Sequence, residues 1–454
     1  MVRTIAAPQL ITELFQISRD SRPIFCVILL AMPGIYRPRH AERTVLYRVL
    51  FHHFDRFLSE YESCFEKEYG FLRPIIKEVV ERYLDCGNPR CGFARIRCPS
   101  CGEERLLMFS CRTRGFCPSC HAKRLEEWGE WMREELVLNV PHRQVVFVIP
   151  KMLRIFFKYK RRLLGQLCQA AVQALLHYFQ ATTGTEFRPG VVAVIQTFGE
   201  RINLHPHLHL LVTEGGEDEH GHFHHLPSFS DGLLAQMFSR EVFALLLREE
   251  MISEALVEKI MGWRHSGFSV HSKVKVSTKE ETERVGKYMI RPLLSLKRLS
   301  FSQPQGQVSY QYGKQAEELE RMDYLEFIAR VTSHIPDKGQ VMIRYFGLYA
   351  NAHRGKVRKR EQGQHKLIII EEECHRIPRR GWAEMIRKVY ETDPLRCPKC
   401  QGQMRIIAFI TDYAVVDRIL NHLKLTFVAD KPPPPRIVFQ EVLMAAEASG
   451  EYFS

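Results

Sequence analysis

Two kinds of hydrophobic spacing run along the chain, and each predicts a different element. Apolar residues three and four positions apart are typical of an amphipathic helix, and this spacing predicts helical segments at 41–84, 153–180, 279–290 and 324–334. The third of these segments follows Ser277 and Thr278, and either hydroxyl suits a helix N-cap.

Short apolar runs rich in β-branched residues predict strands in the middle of the chain, at 145–149, 191–198, 208–213 and 268–276. The link at 199–206 is short enough to join antiparallel neighbours. The order strand, helix, strand, strand, strand, helix favours an α+β fold. We expect an antiparallel sheet with its helices on one face.

The composition narrows the class of protein. The chain has 454 residues, of which 45% are apolar and 26% charged, which is the balance of a globular protein. Disordered, collagen-like and coiled-coil chains are therefore poor matches, and the length predicts two or three domains. Lys and Arg number 65 against 52 Asp and Glu, so the net charge is +13 and attracts polyanions such as nucleic acid.

The longest apolar run is too short to cross a membrane. It covers nine residues, 24–32, whereas a transmembrane helix needs about 20. Glu13 and Asp20 precede it, and no compact basic region leads into it as in a signal peptide. We expect a cytoplasmic protein.

The cysteines are concentrated in one part of the chain. Of thirteen, seven lie between Cys86 and Cys120, which indicates metal binding in a reducing compartment. The pairs Cys98/Cys101 and Cys117/Cys120 are both C-x-x-C, fifteen residues apart. Two such turns can close a tetrahedral site for a structural zinc ion, since four thiolates leave no position for substrate.

Other cysteines leave several arrangements open. Cys86, Cys91, Cys111 and His121 are candidates for a second zinc site. Cys397 and Cys400 form either a tight turn with two thiols or a zinc site with Cys374 or His375. Basic residues surround the first patch and suggest phosphate contacts: Arg90, Arg95, Arg97, Arg105, Arg112, Arg114, Lys123 and Arg124.

Two histidines alternate with leucines on a predicted strand. Residues two apart on a strand point to the same side, so His207 and His209 share one face while Leu208 and Leu210 point into the core. Such a pair can bind a divalent metal ion. The alternative is two histidines with ordinary surface partners.

Tyr288 lies on the predicted helix after the last strand, between Lys287 and Arg291. A tyrosine hydroxyl has a pKa of about 10 and is a weak nucleophile unless a metal ion polarises the electrophile. A packing role is the alternative for this side chain.

The order of these features resembles HUH-type rolling-circle transposases of bacterial insertion sequences. The runs that carry the resemblance are "FSCRTRGFCPSC", "TFGERINLHPHLHLLV", "YMIRP", "VMIRYFGLYANAHR" and "DPLRCPKCQGQMRIIAFI". The resemblance implies that His207 and His209 bind Mg²⁺ or Mn²⁺ and that Tyr288 attacks single-stranded DNA at insertion-sequence ends. It implies DNA contacts for Lys287 and Arg291.

Details of the resemblance set further expectations. Many relatives carry a second tyrosine four residues earlier, where this chain has Arg284, so the chain resembles the single-tyrosine branch. A two-histidine site needs a third ligand, for which Gln196 and His205 are the candidates. In a bacterial cell the protein would associate with the nucleoid.

The same reasoning divides the chain into an N-terminal extension (1–40), a helical and zinc-binding region (41–125), an HUH nuclease domain (140–300), a basic DNA-binding region (301–390) and a C-terminal region (391–454). Two other functions remain open. A barrel-type metal hydrolase also uses H-x-H on a strand but needs eight strand–helix units. A non-catalytic zinc-ribbon DNA-binding protein explains the charge and cysteines but not the histidines or Tyr288.

Overall fold

A computed structural model describes residues 41–364 and 394–423, apart from positions 114, 185, 227 and 314. The predicted extension at 1–40 and the candidate ligands Cys374 and His375 lie outside the described residues. The described part of the chain contains no helix both long and apolar enough to cross a membrane.

Helices occur throughout the described residues. In chain order they are α1 (Val45–Cys64), α2 (Glu66–Tyr69), α3 (Pro74–Leu84), α4 (Pro118–Trp131), α5 (Arg154–Tyr159), α6 (Leu163–Thr183), α7 (Asp231–Arg248), α8 (Glu254–Met261), α9 (Lys279–Met289), α10 (Tyr324–Ser333), α11 (Asn351–Gln364) and α12 (Tyr413–His422). All four predicted helical segments are confirmed. Two of them are broken: 41–84 by the turn at Gly70, and 153–180 before Leu163.

In the part of the chain that the structure describes, the strands form four separate sheets. They are β1 (Phe93–Arg97), β2 (Glu104–Met108), β3 (His142–Val148), β4 (Gly190–Phe198), β5 (Leu204–Thr213), β6 (Gly215–Glu217), β7 (Phe223–His225), β8 (Ser269–Val276), β9 (Leu299–Ser302), β10 (Gln307–Tyr312), β11 (Glu318–Asp323), β12 (Ile343–Gly347) and β13 (Arg405–Ile410). The largest sheet has the order β12-β4-β5-β3-β8 and is antiparallel throughout.

This five-stranded sheet contains all four predicted strands, which confirms the α+β class. It also excludes the barrel hydrolase, which needs parallel strands. The prediction missed β12, whose five residues are all half-buried and lack the alternation of a strand with one buried face. It also missed α7 and α8 between β5 and β8.

Helices cover both faces of the central sheet, so the prediction of a single helical face is wrong. On one face, α6 and α7 pack on Phe147, Leu208 and Leu210. On the other face, α4 and α9 pack on Val192 and Leu211. The sequence carried this signal, because β4 is a nearly continuous apolar run, and such runs are typical of strands buried on both sides.

The helix that carries Tyr288 begins at a well-formed cap. The Thr278 side chain accepts a hydrogen bond from the backbone N–H of Glu281, and the Glu281 carboxylate accepts one in return from the backbone N–H of Thr278. This reciprocal capping box selects Thr278 rather than Ser277 as the N-cap. The start of α9 is therefore fixed directly after β8.

Replacing Phe147 with Ala should destabilise the central core. Phe147 is fully buried on β3, with its ring centroid 4.8 Å from that of Phe238. Loss of the ring leaves a cavity, so we expect the free energy of unfolding to fall by about 3 to 5 kcal/mol in urea titrations. Phe71 is 70% exposed, and Phe71→Ala should change it by less than about 0.5 kcal/mol. Equal effects would contradict this account of the core.

Candidate active site and cysteine clusters

The two histidines of β5 lie side by side at the centre of the sheet. His207 and His209 are 7% and 6% exposed, and their Nε2 atoms are 3.1 Å apart. Their strand is hydrogen-bonded to β3 on one side and to β4 on the other. The rigid centre of the sheet therefore sets the distance between the two imidazoles.

Hydrogen bonds orient both rings. His207 Nδ1 lies 2.6 Å from the His205 carbonyl oxygen, which can only accept, so Nδ1 donates and the Nε2 lone pair is available. The side-chain amide nitrogen of Gln144 lies 3.0 Å from His209 Nδ1 and donates to it, so the neutral His209 ring carries its proton on Nε2, which donates to His207 Nε2. Rotation of the Gln144 amide by 180° would present its oxygen to Nδ1–H and make the second Nε2 lone pair available to a metal ion.

Burial keeps these imidazoles neutral. It is the main cause that lowers the pKa of His207, and it lowers the pKa of His209 to about 3. The positive charge of Arg291 acts in the same direction on both rings. A neutral imidazole is the form that binds a metal ion, so this environment suits a ligand pair.

Two further polar atoms face this site without a hydrogen-bond partner among the described residues. Gln196 is paired with His207 across the β4–β5 register, so their side chains lie on the same face. Its amide nitrogen donates to the Met289 carbonyl oxygen at 2.5 Å, while its buried Oε1 has no partner in the described structure. The buried Nε2 of His205 is likewise unpartnered within the described residues. Both predicted third ligands therefore remain candidates.

Tyr288 lies over the histidine pair in the last turn of α9. Its ring centroid is 6.2 Å from that of His209, and its side chain is 54% exposed. The Arg291 guanidinium carbon lies 5.7 Å from the same ring. The fold thus brings together the tyrosine, the cation and the imidazoles that the sequence predicted, with one side open to a ligand.

Lys287 points away from this site, and its contact with DNA stays a prediction. Its ammonium group lies 2.6 Å from a carboxylate oxygen of Glu126 on α4 and 2.8 Å from one of Glu283 on α9. Neighbouring residues on an α-helix point about 100° apart, so Tyr288 faces the histidine pair while Lys287 faces α4. Its charge is already paired within the protein.

Helix α4 supports the end of α9 at a second point. His121 Nε2 donates to the Ile290 carbonyl oxygen at 2.7 Å, two residues beyond Tyr288. Just before both contacts on α9, Gly286 allows close approach, because an added Cβ would lie 3.0 Å from the ring of Trp128 on α4 and 2.3 Å from the methyl carbon of Met132, which follows α4. The position of Tyr288 therefore depends on α4.

The two C-x-x-C pairs belong to different clusters, which corrects the prediction that they share one zinc ion. Cys117 and Cys120 lie with two cysteines from the prediction of a second site, in cluster A: Cys86, Cys111, Cys117 and Cys120. The other pair lies with the C-terminal pair, in cluster B: Cys98, Cys101, Cys397 and Cys400. Strand β2 separates the two pairs, and sequence spacing alone cannot detect this.

Cluster A has the dimensions of a tetrahedral thiolate site. Three of its Sγ–Sγ distances are 3.6, 3.7 and 3.8 Å, far from the roughly 2.05 Å of a disulfide. A zinc ion about 2.3 Å from each sulfur requires sulfurs about 3.8 Å apart. Cys91 and His121 are not among its members, so that part of the predicted second site is wrong.

Sequence reasoning missed two residues near the histidine pair. Gln144 on β3 bonds to His209, and Arg154 at the start of α5 lowers the pKa of His205 and His207 through its charge. Neither belongs to a recognisable motif. Both positions follow from the antiparallel β3–β5 pairing, which sets Gln144 opposite Leu211, diagonal to His209, and brings the residues after β3 beside the start of β5.

Comparisons with known proteins agree with this arrangement. A family model of a transposase zinc-binding domain matches residues 54–149, and a model described as "Putative transposase" matches residues 190–356. The first covers cluster A and two cysteines of cluster B. The second covers the histidine pair and Tyr288.

Two curated proteins are similar over much of their length. The transposase for insertion sequence element IS801 from Pseudomonas savastanoi pv. phaseolicola is 28% identical over 426 residues, 88% of this chain and 97% of that protein. "Putative transposase y4qJ" from Sinorhizobium fredii is 27% identical over 325 residues, 65% of this chain and 79% of that protein. No solved structure matches the chain.

The contacts of Lys287 predict a role in stability. Lys287→Met leaves Glu126 without its cation and Glu283 with Arg133 alone, in a partly buried contact where the lysine is 22% exposed. We expect the free energy of unfolding to fall by about 1 to 3 kcal/mol in urea titrations. Lys273 on β8 is exposed, so Lys273→Met is the matched control with little change expected. A silent Lys287→Met would refute the role of this contact.

Proposed function

The chain belongs to the insertion-sequence transposases that join a zinc-binding domain to a transposase domain, and from this premise we propose that it nicks and rejoins single-stranded DNA through a covalent bond to Tyr288. One observation carries the proposal. The ring centroid of the half-exposed Tyr288 lies 6.2 Å from that of the buried His209. The Nε2 atom of His209 is in turn 3.1 Å from that of His207.

The imidazole pair fits a divalent ion in octahedral coordination. Adjacent ligands about 2.1 Å from Mg²⁺ lie about 3.0 Å apart, close to the 3.1 Å between His207 Nε2 and His209 Nε2. The unpartnered Oε1 of Gln196 supplies a third donor on the same face, and an oxygen suits Mg²⁺ or Mn²⁺. When bound, such an ion polarises the scissile phosphate and stabilises its developing charge.

The residues of the chain supply the nucleophile and the positioning. The Tyr288 oxygen attacks the phosphorus in line, so that a tyrosine–phosphate bond forms while the bond to the 3′ oxygen breaks. The phenolic proton is released, and the departing oxygen takes up a proton to become a 3′-OH. Rejoining reverses these steps. Because the phosphodiester energy is retained in the covalent bond, no nucleotide cofactor is needed.

Two arginines are suited to hold the phosphates around the scissile bond. Arg291 lies beside Tyr288, and Arg154 contributes positive charge near His205 and His207. Guanidinium groups bind phosphate oxygens through paired hydrogen bonds. The net charge of +13 supports the same substrate, since a basic protein attracts nucleic acid from a distance.

Cluster A supports this site as a structural zinc centre. Cys117 and Cys120 lie at the start of α4, and a zinc ion bound there would fix that end of the helix. Helix α4 in turn holds the end of α9 through His121 and Glu126. In this proposal the zinc ion does not contact DNA and takes no part in its cleavage. It acts only by stabilising α4, which holds the helix that carries Tyr288.

Removal of the Tyr288 hydroxyl should abolish the covalent step. Tyr288→Phe keeps the ring beside His209 and Arg291 but has no oxygen to attack phosphorus. With end-labelled single-stranded DNA from the insertion-sequence ends and Mn²⁺, we expect no denaturation-resistant adduct and no nick, with DNA affinity within about twofold of wild type.

The matched control for this variant is Tyr413→Phe, since Tyr413 is 55% exposed on α12. It should form the adduct at the wild-type rate. Mass spectrometry that maps the wild-type adduct to a peptide without Tyr288 would refute the assignment of the nucleophile. Nicking without any protein–DNA adduct would refute the covalent mechanism.

The double variant His207→Ala/His209→Ala should lose divalent-metal binding at this site. We expect calorimetry to detect Mn²⁺ binding to wild type and not to the variant, and cleavage to fall by at least about 100-fold. Gln196→Leu should weaken Mn²⁺ binding without eliminating it. DNA affinity should persist, because it depends mainly on phosphate contacts.

The control is His177→Ala, because His177 is an exposed histidine paired with Glu241 on the opposite face of the sheet. It should bind Mn²⁺ as wild type does. If the double variant cleaves at the wild-type rate, the two histidines are structural and the proposed metal site is wrong.

A further inference from the structure

Cluster B is formed by two short segments that are almost 300 residues apart. Cys101 and Cys397, whose Sγ atoms are 3.5 Å apart, are separated by 296 positions. Only the first segment lies within the matched zinc-binding domain, which ends at residue 149. The second segment lies beyond both family matches, so its contribution to a metal site is a separate question.

The two segments have the same turn. Each has the sequence Cys-Pro-x-Cys, as Cys98–Cys101 and as Cys397–Cys400. The residue after each turn has a left-handed backbone, with φ of 75° at Gly102 and 63° at Gln401. This conformation strains a residue with a side chain, so its presence at Gln401 indicates that the turn is held by its surroundings.

The backbone hydrogen bonds of the two turns also correspond. The N–H of Gly102 donates to the Cys98 carbonyl oxygen at 2.9 Å, as that of Gln401 does to Cys397. The backbone N–H of Cys98 donates to the carbonyl oxygen of Glu103 at 2.8 Å, and that of Cys397 donates to the carbonyl oxygen of Gly402 at 2.9 Å. Each turn therefore aims two thiols at one point, and the two turns face each other.

The four sulfur atoms have the spacing of a single tetrahedral centre. All four lie within 4.8 Å of one another, and Cys98 Sγ is 3.4 Å from Cys400 Sγ. Cys98 and Cys397 are fully buried, whereas Cys400 is exposed. The centre of the cluster is thus enclosed on the protein side and reachable by an ion from solvent.

The two Cys-Pro-x-Cys segments also correspond in the strand pairing on either side of their turns. Arg97 pairs with Glu104 across the first turn, and Arg396 pairs with Gln403 across the second. Strand β13 then joins β1 along its whole length, from Phe93 opposite Ile410 to Arg97 opposite Arg405. The result is a three-stranded sheet in the order β13-β1-β2, with the sulfur cluster at one end.

Apolar packing in this sheet is too limited to stabilise it alone. One small cluster contains Ala94, Ile96 and Leu107 together with the buried cysteines and Met404. A second contains Phe93, Val416 and Leu420, where α12 packs on β1. Units of this size need a disulfide or a metal ion, and these sulfurs are too far apart for a disulfide.

We propose that cluster B is a second structural zinc site, in which Cys98 and Cys101 provide two ligands and Cys397 and Cys400 the other two. A zinc ion there joins residues 394–423 to the N-terminal zinc-binding domain and completes a zinc ribbon that neither segment forms alone. Four thiolates in a tetrahedron favour zinc, with iron as the competing ion. This site is independent of the catalytic proposal.

The test counts zinc ions in the full-length chain. Wild type should contain two zinc ions per chain by elemental analysis, and both Cys397→Ser/Cys400→Ser and Cys98→Ser/Cys101→Ser should contain one. The variant with all four changes should also contain one, because the two pairs share an ion. Cys64→Ser changes an exposed cysteine outside both clusters and should retain two.

Several outcomes would overturn the proposal. Two zinc ions in Cys397→Ser/Cys400→Ser would show that the C-terminal pair binds none. If each double variant contained one zinc ion and the variant with all four changes contained none, the two pairs would bind separate ions. Iron in place of zinc at cluster B would refute the identity of the ion.

A measurement on wild-type protein covers the case in which variants fail to fold. In untreated protein, N-ethylmaleimide should label Cys64 rapidly while Cys397 and Cys400 stay protected. A zinc chelator should expose Cys98, Cys101, Cys397 and Cys400 together, at one rate by mass spectrometry. Labelling of Cys397 and Cys400 at the rate of Cys64 before chelation would refute the site.

Discussion

The antiparallel register of β5 between β3 and β4 is the constraint on which the rest of the site depends. It fixes His207 opposite Gln196 and places Gln144 within hydrogen-bond distance of His209. Because side chains alternate along a strand, a shift of one residue would turn both imidazoles into the apolar core. Leu208 and Leu210 prevent that shift, since they are fully buried on the other face. The same leucines that stabilise the core therefore determine the face to which both imidazoles point.

The face that carries the imidazoles is covered by α9, and α9 is held by α4. This connects the two halves of the matched sequence, because α4 begins at cluster A and contacts the residues on both sides of Tyr288. Damage to the cysteine cluster would therefore reach Tyr288 through two helices in contact. Lys287 forms one of these contacts, although its place in the sequence suggests a DNA-binding residue.

The sequence predicts local features of this protein better than distant ones. Four of the five strands of the central sheet, the helix α9 with its N-cap at Ser277 or Thr278, and the candidate histidines and tyrosine all follow from short patterns, because alternation, caps and motifs are local properties. The covering of both faces was recoverable from the continuous apolar run in β4. The domain boundaries stay a prediction. The cysteine pairing could not be predicted, since Cys98 has a nearer candidate in Cys117 than in Cys397, and spacing favours the nearer one. Only the pairing of β13 with β1 distinguishes them.

That pairing has a consequence for the order in which the protein is made. Strand β1 leaves the ribosome long before its neighbour β13, and the 296 positions between Cys101 and Cys397 take roughly 15 to 60 s at typical rates of synthesis. During that time one edge of β1 has no partner, although β2 is already available on the other. The central sheet, which lies between the two in sequence, can form first. The sheet of β13, β1 and β2 is therefore the first to begin forming and among the last to be completed. Until β13 is made, the nascent chain exposes an unpaired edge of β1.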